Sequence, residues 1–251
     1  MAKSSEQLEL FSTLPQGLPE YTIRESARAR HVSIKVALNQ DIEVVVPRGF
    51  DPQRVPELLQ KRRSWLWQTV QRLERQTAGL APHHFEEKPS RIEVRSRQET
   101  WEVLYQATSA RRIELTQPAP LTLIIRGNTD NLAACTDLLR QWLTRKARAE
   151  FAPWLRELSF DINLPFNRIS IRGQKTRWAS CSSQKNISLN YKLLFLPPEL
   201  VHYVFVHELC HTIHMNHSRS FWNLVKEKQP DYAPYRHQIK DGWQYVPQWV
   251  E

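Results

Sequence analysis

Beyond a leader over residues 1–20 that keeps no sustained period, apolar and polar positions begin to alternate at Tyr21. Val32, Ile34 and Val36 take every second position, and the run Ile42 to Val46 stops at Pro47-Arg48-Gly49. Both segments read as strands. The period then lengthens. Asp51-Pro52 forms an N-cap with proline at the first helical position. The helix it opens turns Val55, Leu58, Leu59, Trp65, Leu66, Val70 and Leu73 inward and Lys61, Arg62 and Arg63 outward. Pro82, Pro89 and their polar neighbours mark a flexible connection near 77–90, followed by short strands near 91–95, 101–107, 111–115 and 121–126. Gly127 to Asp130 restarts a helix through Leu132, Leu138, Leu139, Trp142 and Leu143 towards Leu158, with a kink or break expected at Pro153. After a loop at Asn163-Leu164-Pro165 come strands at 168–172 and 187–191, and Pro197-Pro198-Glu199 opens a further long helix.

Strands early and helices late predict an α+β fold rather than alternating βαβ units. The expected divisions are a leader at 1–20, a strand-rich N-terminal region with one helix at 21–127, and a second region at 128–251. Neither repeats nor low-complexity segments interrupt them. With 251 residues, 41% of them apolar and 24% charged, the chain can bury a sizeable core. No apolar run is long enough for a membrane helix, and the N-terminus lacks the pattern of a signal peptide. Three scattered cysteines, Cys135, Cys181 and Cys210, do not make a disulfide framework. A reduced cytoplasmic protein is the expectation. The net charge of +9 is shared between the two halves and argues only weakly for nucleic acid. More local is the absence of any acidic residue between Asp161 and Glu199, a stretch holding Arg168, Arg172, Lys175, Arg177, Lys185 and Lys192. It reads either as a solvated basic face or as a surface for an anionic substrate.

The chemistry concentrates in His207-Glu208-Leu209-Cys210-His211. Two histidines four residues apart on a helix share a face about 6 Å apart along the axis, so both imidazoles can reach one metal. Glu208 stands beside the metal, where it can take a proton from activated water as general base. In a chain with 9 histidines this pattern arises by chance about 0.02 times. Val201, Val204, Phe205, Val206 and Leu209 make the helix a buried one, in which polar groups need partners. A third ligand is required. His214 is about 10.5 Å along a continuing helix from His207, too far to share the ion. His217 qualifies if the chain turns after His214, and Asn216 suits a left-handed turn. Glu227 is the runner-up. The spacing of His217 matches that of metzincins, but these carry glycine where this chain has His214, and no methionine follows Met215 to make their methionine turn.

Together these residues resemble the YgjP-like metallopeptidase family, which is related to the SprT-like zincins. The likeness is carried by Lys175-Thr176-Arg177-Trp178-Ala179-Ser180-Cys181-Ser182, Ile187 to Asn190, the helix opening at Pro197, Val206 to His211, Asn216-His217-Ser218 with Phe221-Trp222, and Pro230-Asp231-Tyr232. Looser matches at Ser26 to Arg30, Val44 to Pro47 and Lys61 to Trp67 extend it over about 21–245. Ala179 departs from the family's usual glycine. The resemblance implies a minimal zincin-like catalytic region with Zn2+ held by His207, His211 and His217 and Glu208 as catalytic base.

The expected activity is zinc-dependent hydrolysis of peptide bonds in a peptide or unfolded protein. An alternative is metal-dependent hydrolysis of nucleotide phosphoanhydrides, to which the basic stretch around Arg177 is suited. A second alternative is a nucleic-acid-associated protein or protease. Arg177 either holds an anionic substrate group or an oxyanion, or forms a structural salt bridge. Ile187 to Tyr191 is the candidate edge strand for pairing with substrate backbone. Trp178, Trp222, Cys181 and Cys210 read as wall or packing. His202, His237, Tyr191, Tyr203, Tyr232 and Tyr235 receive no site role.

Overall fold

A computed structural model describes residues 20–36, 42–77, 88–110 and 112–250. The leader, apart from Glu20, and most of the 77–90 connection lie outside these residues, as does the side chain of Leu73. The chain forms two units, Met1–Ala81 and Pro82–Glu251.

In the first unit, β1 (Tyr21–Ser26) runs parallel to β3 (Ile42–Pro47), and β2 (Ser33–Val36) pairs antiparallel with the other edge of β3. The central strand carries the most apolar run and is correspondingly buried at Ile42, Val44, Val45 and Val46. Asp51 caps the next turn by accepting from the Gln53 amide at 3.0 Å. The single helix expected here is two, α1 (Val55–Lys61) and α2 (Arg63–Thr77). The break falls at Arg62, whose N–H is shared between the Leu58 and Leu59 carbonyls. Val55, Leu59 and Leu66 pack on the sheet. Trp65, expected inward, is 45% exposed. Leu66 takes the inward position of α2, and its neighbour lies about 100° round the helix.

The second unit holds two sheets and four helices among the described residues. β4 (Arg91–Val94), β5 (Glu99–Ala107), β6 (Glu114–Ala119) and β7 (Thr122–Gly127) assemble in the order β4-β5-β7-β6, with β5 parallel to β7. One face alternates inward through Ile92, Val94, Trp101, Val103, Leu123 and Ile125 and meets Leu139, Trp142 and Leu143 in the same core. Those last residues belong to α3 (Leu132–Asp161), which starts on the Asn131 cap, whose side chain accepts from the Ala134 amide. The helix continues through Pro153 without the expected break. Pro153 is exposed, so the carbonyl that loses its partner lies towards water.

At its C-terminus α3 closes with paired bonds, Leu164 N–H to Ser159 O (3.0 Å) and Asn163 N–H to Phe160 O (3.1 Å). Asn163 adopts φ 55°, the left-handed conformation this motif demands. Leu164 is buried beyond it. The second sheet has the order β8-β10-β9, with β8 (Arg168–Arg172) parallel and β9 (Ala179–Cys181) antiparallel to β10 (Asn186–Asn190). The strand expected at the edge is therefore the central one. Hydrophobic alternation along one strand does not reveal its place in the order.

Next comes α4 (Pro198–Cys210), nearly all of it buried. Phe205 anchors it to α3 through edge-on contacts with Phe151 (5.5 Å) and Trp154 (5.1 Å), and β9 packs against it. α5 (Arg219–Lys228) and α6 (Tyr232–Gln238) complete the frame. No helix among the described residues is long and apolar enough to cross a membrane.

Candidate metal centre

The last turn of α4 carries His207 and Glu208, and His211 caps the helix end. Amides of Thr212, Ile213 and His214 fold back onto the carbonyls of Leu209 and Cys210. This turn stops the helix before His214 and redirects the chain. Asn216 does not use a left-handed conformation, as the sequence suggested. Its side chain accepts from the Ser218 amide (3.3 Å), and Ser218 in turn caps α5 by accepting from the Phe221 amide. An Asx turn does the work expected of a positive φ.

The result brings His217 to the two helical histidines. Its Nε2 lies 3.1 Å from His207 Nε2, which lies 3.2 Å from His211 Nε2. The three residues offer ligand atoms within 4.8 Å of one another and could hold a metal ion. His211 Nδ1–H donates to the His214 carbonyl at 2.9 Å, which leaves the Nε2 lone pair facing the cluster. With the Nε2 atoms of His207 and His217 likewise deprotonated, three lone pairs would meet at this range, an arrangement that a cation between them would stabilise. Tetrahedral zinc with Zn–N of about 2.0–2.1 Å separates its nitrogens by about 3.3 Å, close to the observed spacings. Burial, the neighbouring imidazoles and Arg236 pull His207 down to about 3, and burial also lowers His211. Neutral imidazoles are the form a metal binds. The donor set fits a divalent cation of the zinc type.

His214 supplies its carbonyl to this arrangement and its ring is not in the cluster. Glu227 pairs with Lys228 at 3.0 Å and stands outside it too.

Glu208 is 6% exposed, and its Oε2 has no hydrogen-bond partner among the described residues. Burial alone pushes its carboxyl up to about 8. A carboxyl near neutrality is suited to accepting and releasing a proton. Cys181 on β9 is close enough to feel the Glu208 charge, and burial together with that charge pushes its thiol up to about 11. It is a thiol at neutral pH, not a reactive thiolate.

An aromatic wall holds the imidazoles. Phe221 stacks on His211 (4.4 Å between centroids) and meets His207 edge-on at 5.0 Å. Trp222 stacks on His217 (5.7 Å) and Tyr232 (5.8 Å), with the Arg236 guanidinium 3.8 Å over its ring. The sequence placed Trp222 as wall, gave Phe221 and Tyr232 no role beyond carrying the resemblance, and did not point to Arg236. No spacing rule joins α6 to the histidines, so only the fold reveals them.

The basic stretch divides. Arg168, Arg172, Lys175 and Arg177 are exposed, whereas Lys192 is buried and lies over the Trp243 ring at 5.2 Å. Arg177 joins no ion pair among the described residues. Its carbonyl, with that of Gln174, accepts from the Nδ2 of fully buried Asn190 (2.9 and 2.8 Å). Asn190 thereby clasps the loop that leads into β9.

Comparison with curated proteins gives no match. Among solved structures, the chain is similar to the metallopeptidase zymogens of Pyrococcus abyssi abylysin and Methanocaldococcus jannaschii jannalysin. Each is 26% identical with a TM-score of 0.31 over 34% of this chain, covering 87% of abylysin and 89% of jannalysin. The family model described as "YgjP-like, metallopeptidase domain" matches residues 30–241, most of the length. The chain belongs to the YgjP-like metallopeptidase family.

Proposed function

We propose that this protein is a zinc metallopeptidase in which His207, His211 and His217 hold the ion and Glu208 is the general base. The observation that carries this reading is the convergence of the three imidazoles at the end of α4, where the residue after His207 carries an unpartnered, buried carboxylate oxygen. When bound, a divalent cation supplies Lewis-acid polarisation of a carbonyl and lowers the pKa of water. The residues of the chain do the rest. Glu208 accepts a proton from the attacking water through its carboxylate and delivers it to the leaving amine. Its burial keeps that proton from leaking to solvent and sets its basicity near neutral pH. The His211–His214 hydrogen bond fixes the ligand tautomer, and the stacked rings of Phe221 and Trp222 limit rotation of the imidazoles.

An extended substrate adds to β9, whose outer edge is unpaired among the described residues and which packs on α4. This assigns to β9 the role the sequence suggested for 187–191. Protein substrates are what the family implies.

The test compares wild type with Glu208→Gln, both metal-quantified and offered an unfolded protein and a nucleotide panel, with products read by mass spectrometry. Peptide products from wild type only, with about one zinc per chain in both proteins, are expected. Nucleotide hydrolysis lost in the variant, without peptide products, would replace this reading by phosphoanhydride hydrolysis. Protein that takes up no metal would remove both.

A further inference from the structure

Away from the histidines, a cleft of about 680 Å³ runs between the second half of α3 and the start of β8. It shares no residue with the metal centre. Arg148, Arg156 and Arg168 line it, and no acidic side chain does. All three arginines are exposed, and none joins an ion pair among the described residues. On α3, Glu150, two residues from Arg148, is taken by Arg97 (2.9 Å) and Lys146 (3.3 Å). Glu157, next to Arg156 in sequence, does not line the cleft and forms no ion pair with it among the described residues. Arg148, Ala152 and Arg156 follow one another at four-residue intervals and all line the cleft, with the two arginine positions about 12 Å apart along the helix axis. Three unneutralised cations around one concavity repel each other, and an anionic occupant removes that cost.

Two features select a peptide over a bare phosphate. Ala152, Pro165, Phe166 and Ile169 give the cleft an apolar component. Beside it, β8 is an edge strand whose outer backbone groups are unpaired among the described residues. A peptide satisfies such an edge by adding a strand, and a phosphate cannot. The 12 Å between Arg148 and Arg156 corresponds to about four extended residues.

We propose that this cleft is a docking site for an acidic, extended peptide, seated along β8 and held by Arg148, Arg156 and Arg168. The site is independent of whether the chain cleaves peptide bonds. Its occupant is a segment with carboxylates at alternate positions and small apolar residues between them.

The test is fluorescence anisotropy on full-length Glu208→Gln protein, so that cleavage does not intervene. The probe is a fluorescein-labelled octapeptide alternating glutamate and valine, with a lysine–valine octapeptide and an oligothymidylate as controls. Saturable binding of the acidic peptide alone is expected, weakened about tenfold or more in the Arg148→Ala/Arg156→Ala/Arg168→Ala variant. The thermal melt and metal content of that variant serve as its folding check. Arg168→Gln alone, the mildest change, is expected to weaken binding about threefold and provides the measurement if the triple variant does not fold. Proline in place of two valines is expected to weaken binding further at unchanged charge. Equal affinity in wild-type and arginine-variant clefts would overturn the proposal. So would tighter binding of the oligothymidylate that is lost in the same variants, which would make the cleft a phosphate site.

Discussion

At position 190 one side chain ties together three pieces of backbone. Asn190 is fully buried, donates to the carbonyls of Gln174 and Arg177, and accepts from the Lys192 amide at 3.1 Å. Replacing it by leucine would leave two partly buried carbonyls and a buried amide without this partner. Asn190→Leu is therefore expected to lower stability by about 2–4 kcal/mol, measured by urea denaturation. Nothing near Asn190 announces this role, because its partners are 13 and 16 residues away. The histidines are different. His207 and His211 declare a shared face through their spacing alone, and His217 follows within a turn of chain short enough to reason about. Cys181 is a harder case, since neither its short strand nor its proximity to Glu208 could be read from the sequence.

Helix ends and strand order decide how the elements are used. Asn163 carries φ 55° in the motif that closes α3, a conformation that penalises a β-carbon except where a short polar side chain compensates. Asn163→Ala is expected to cost about 1 kcal/mol, and Asn163→Gly to be neutral or slightly stabilising, both read from the shift in denaturation midpoint. A loop at this position was legible from Asn163-Leu164-Pro165, and so, apart from β9, α5 and α6, were the existence and type of most of the described strands and helices. Two element-level properties were not. The outward turn of Trp65 depends on the break at Arg62, and the edge position of β9 depends on pairings between strands that the alternation within each strand does not encode.

Across the sheet and α3 of the second unit, Lys146 forms a small electrostatic centre, paired with Glu99 (2.8 Å) and Glu150 (3.3 Å) and lying over the Trp101 ring at 4.9 Å. Burial acts to raise the Glu99 carboxyl, but hydrogen bonds from Lys146 and the Trp101 indole overcome it and hold the group below its ordinary value. A carboxyl depressed on folding adds stability above its unfolded pKa, about 4.3, and loses that contribution as pH falls through the folded value. Lys146→Met is thus expected to destabilise by about 1–3 kcal/mol at pH 7, with the difference from wild type shrinking below about pH 4. Denaturation curves at the two pH values check this.

The three histidines do not sit on one element. Two belong to the end of α4, and the third precedes α5 across a turn of irregular chain. On the proposed reading, an ion bound there is also a cross-link, closing a small ring of backbone much as a covalent tie would. The melting temperature of the wild type is then expected to climb with the logarithm of free zinc and to fall on chelation. His217→Ala should flatten that dependence, and Glu208→Gln should keep it. Loss of the cation would loosen the turn at 211–218 and with it the Trp222 face, so the same event that ends catalysis would expose the hinge between α4 and α5 to proteolytic nicking.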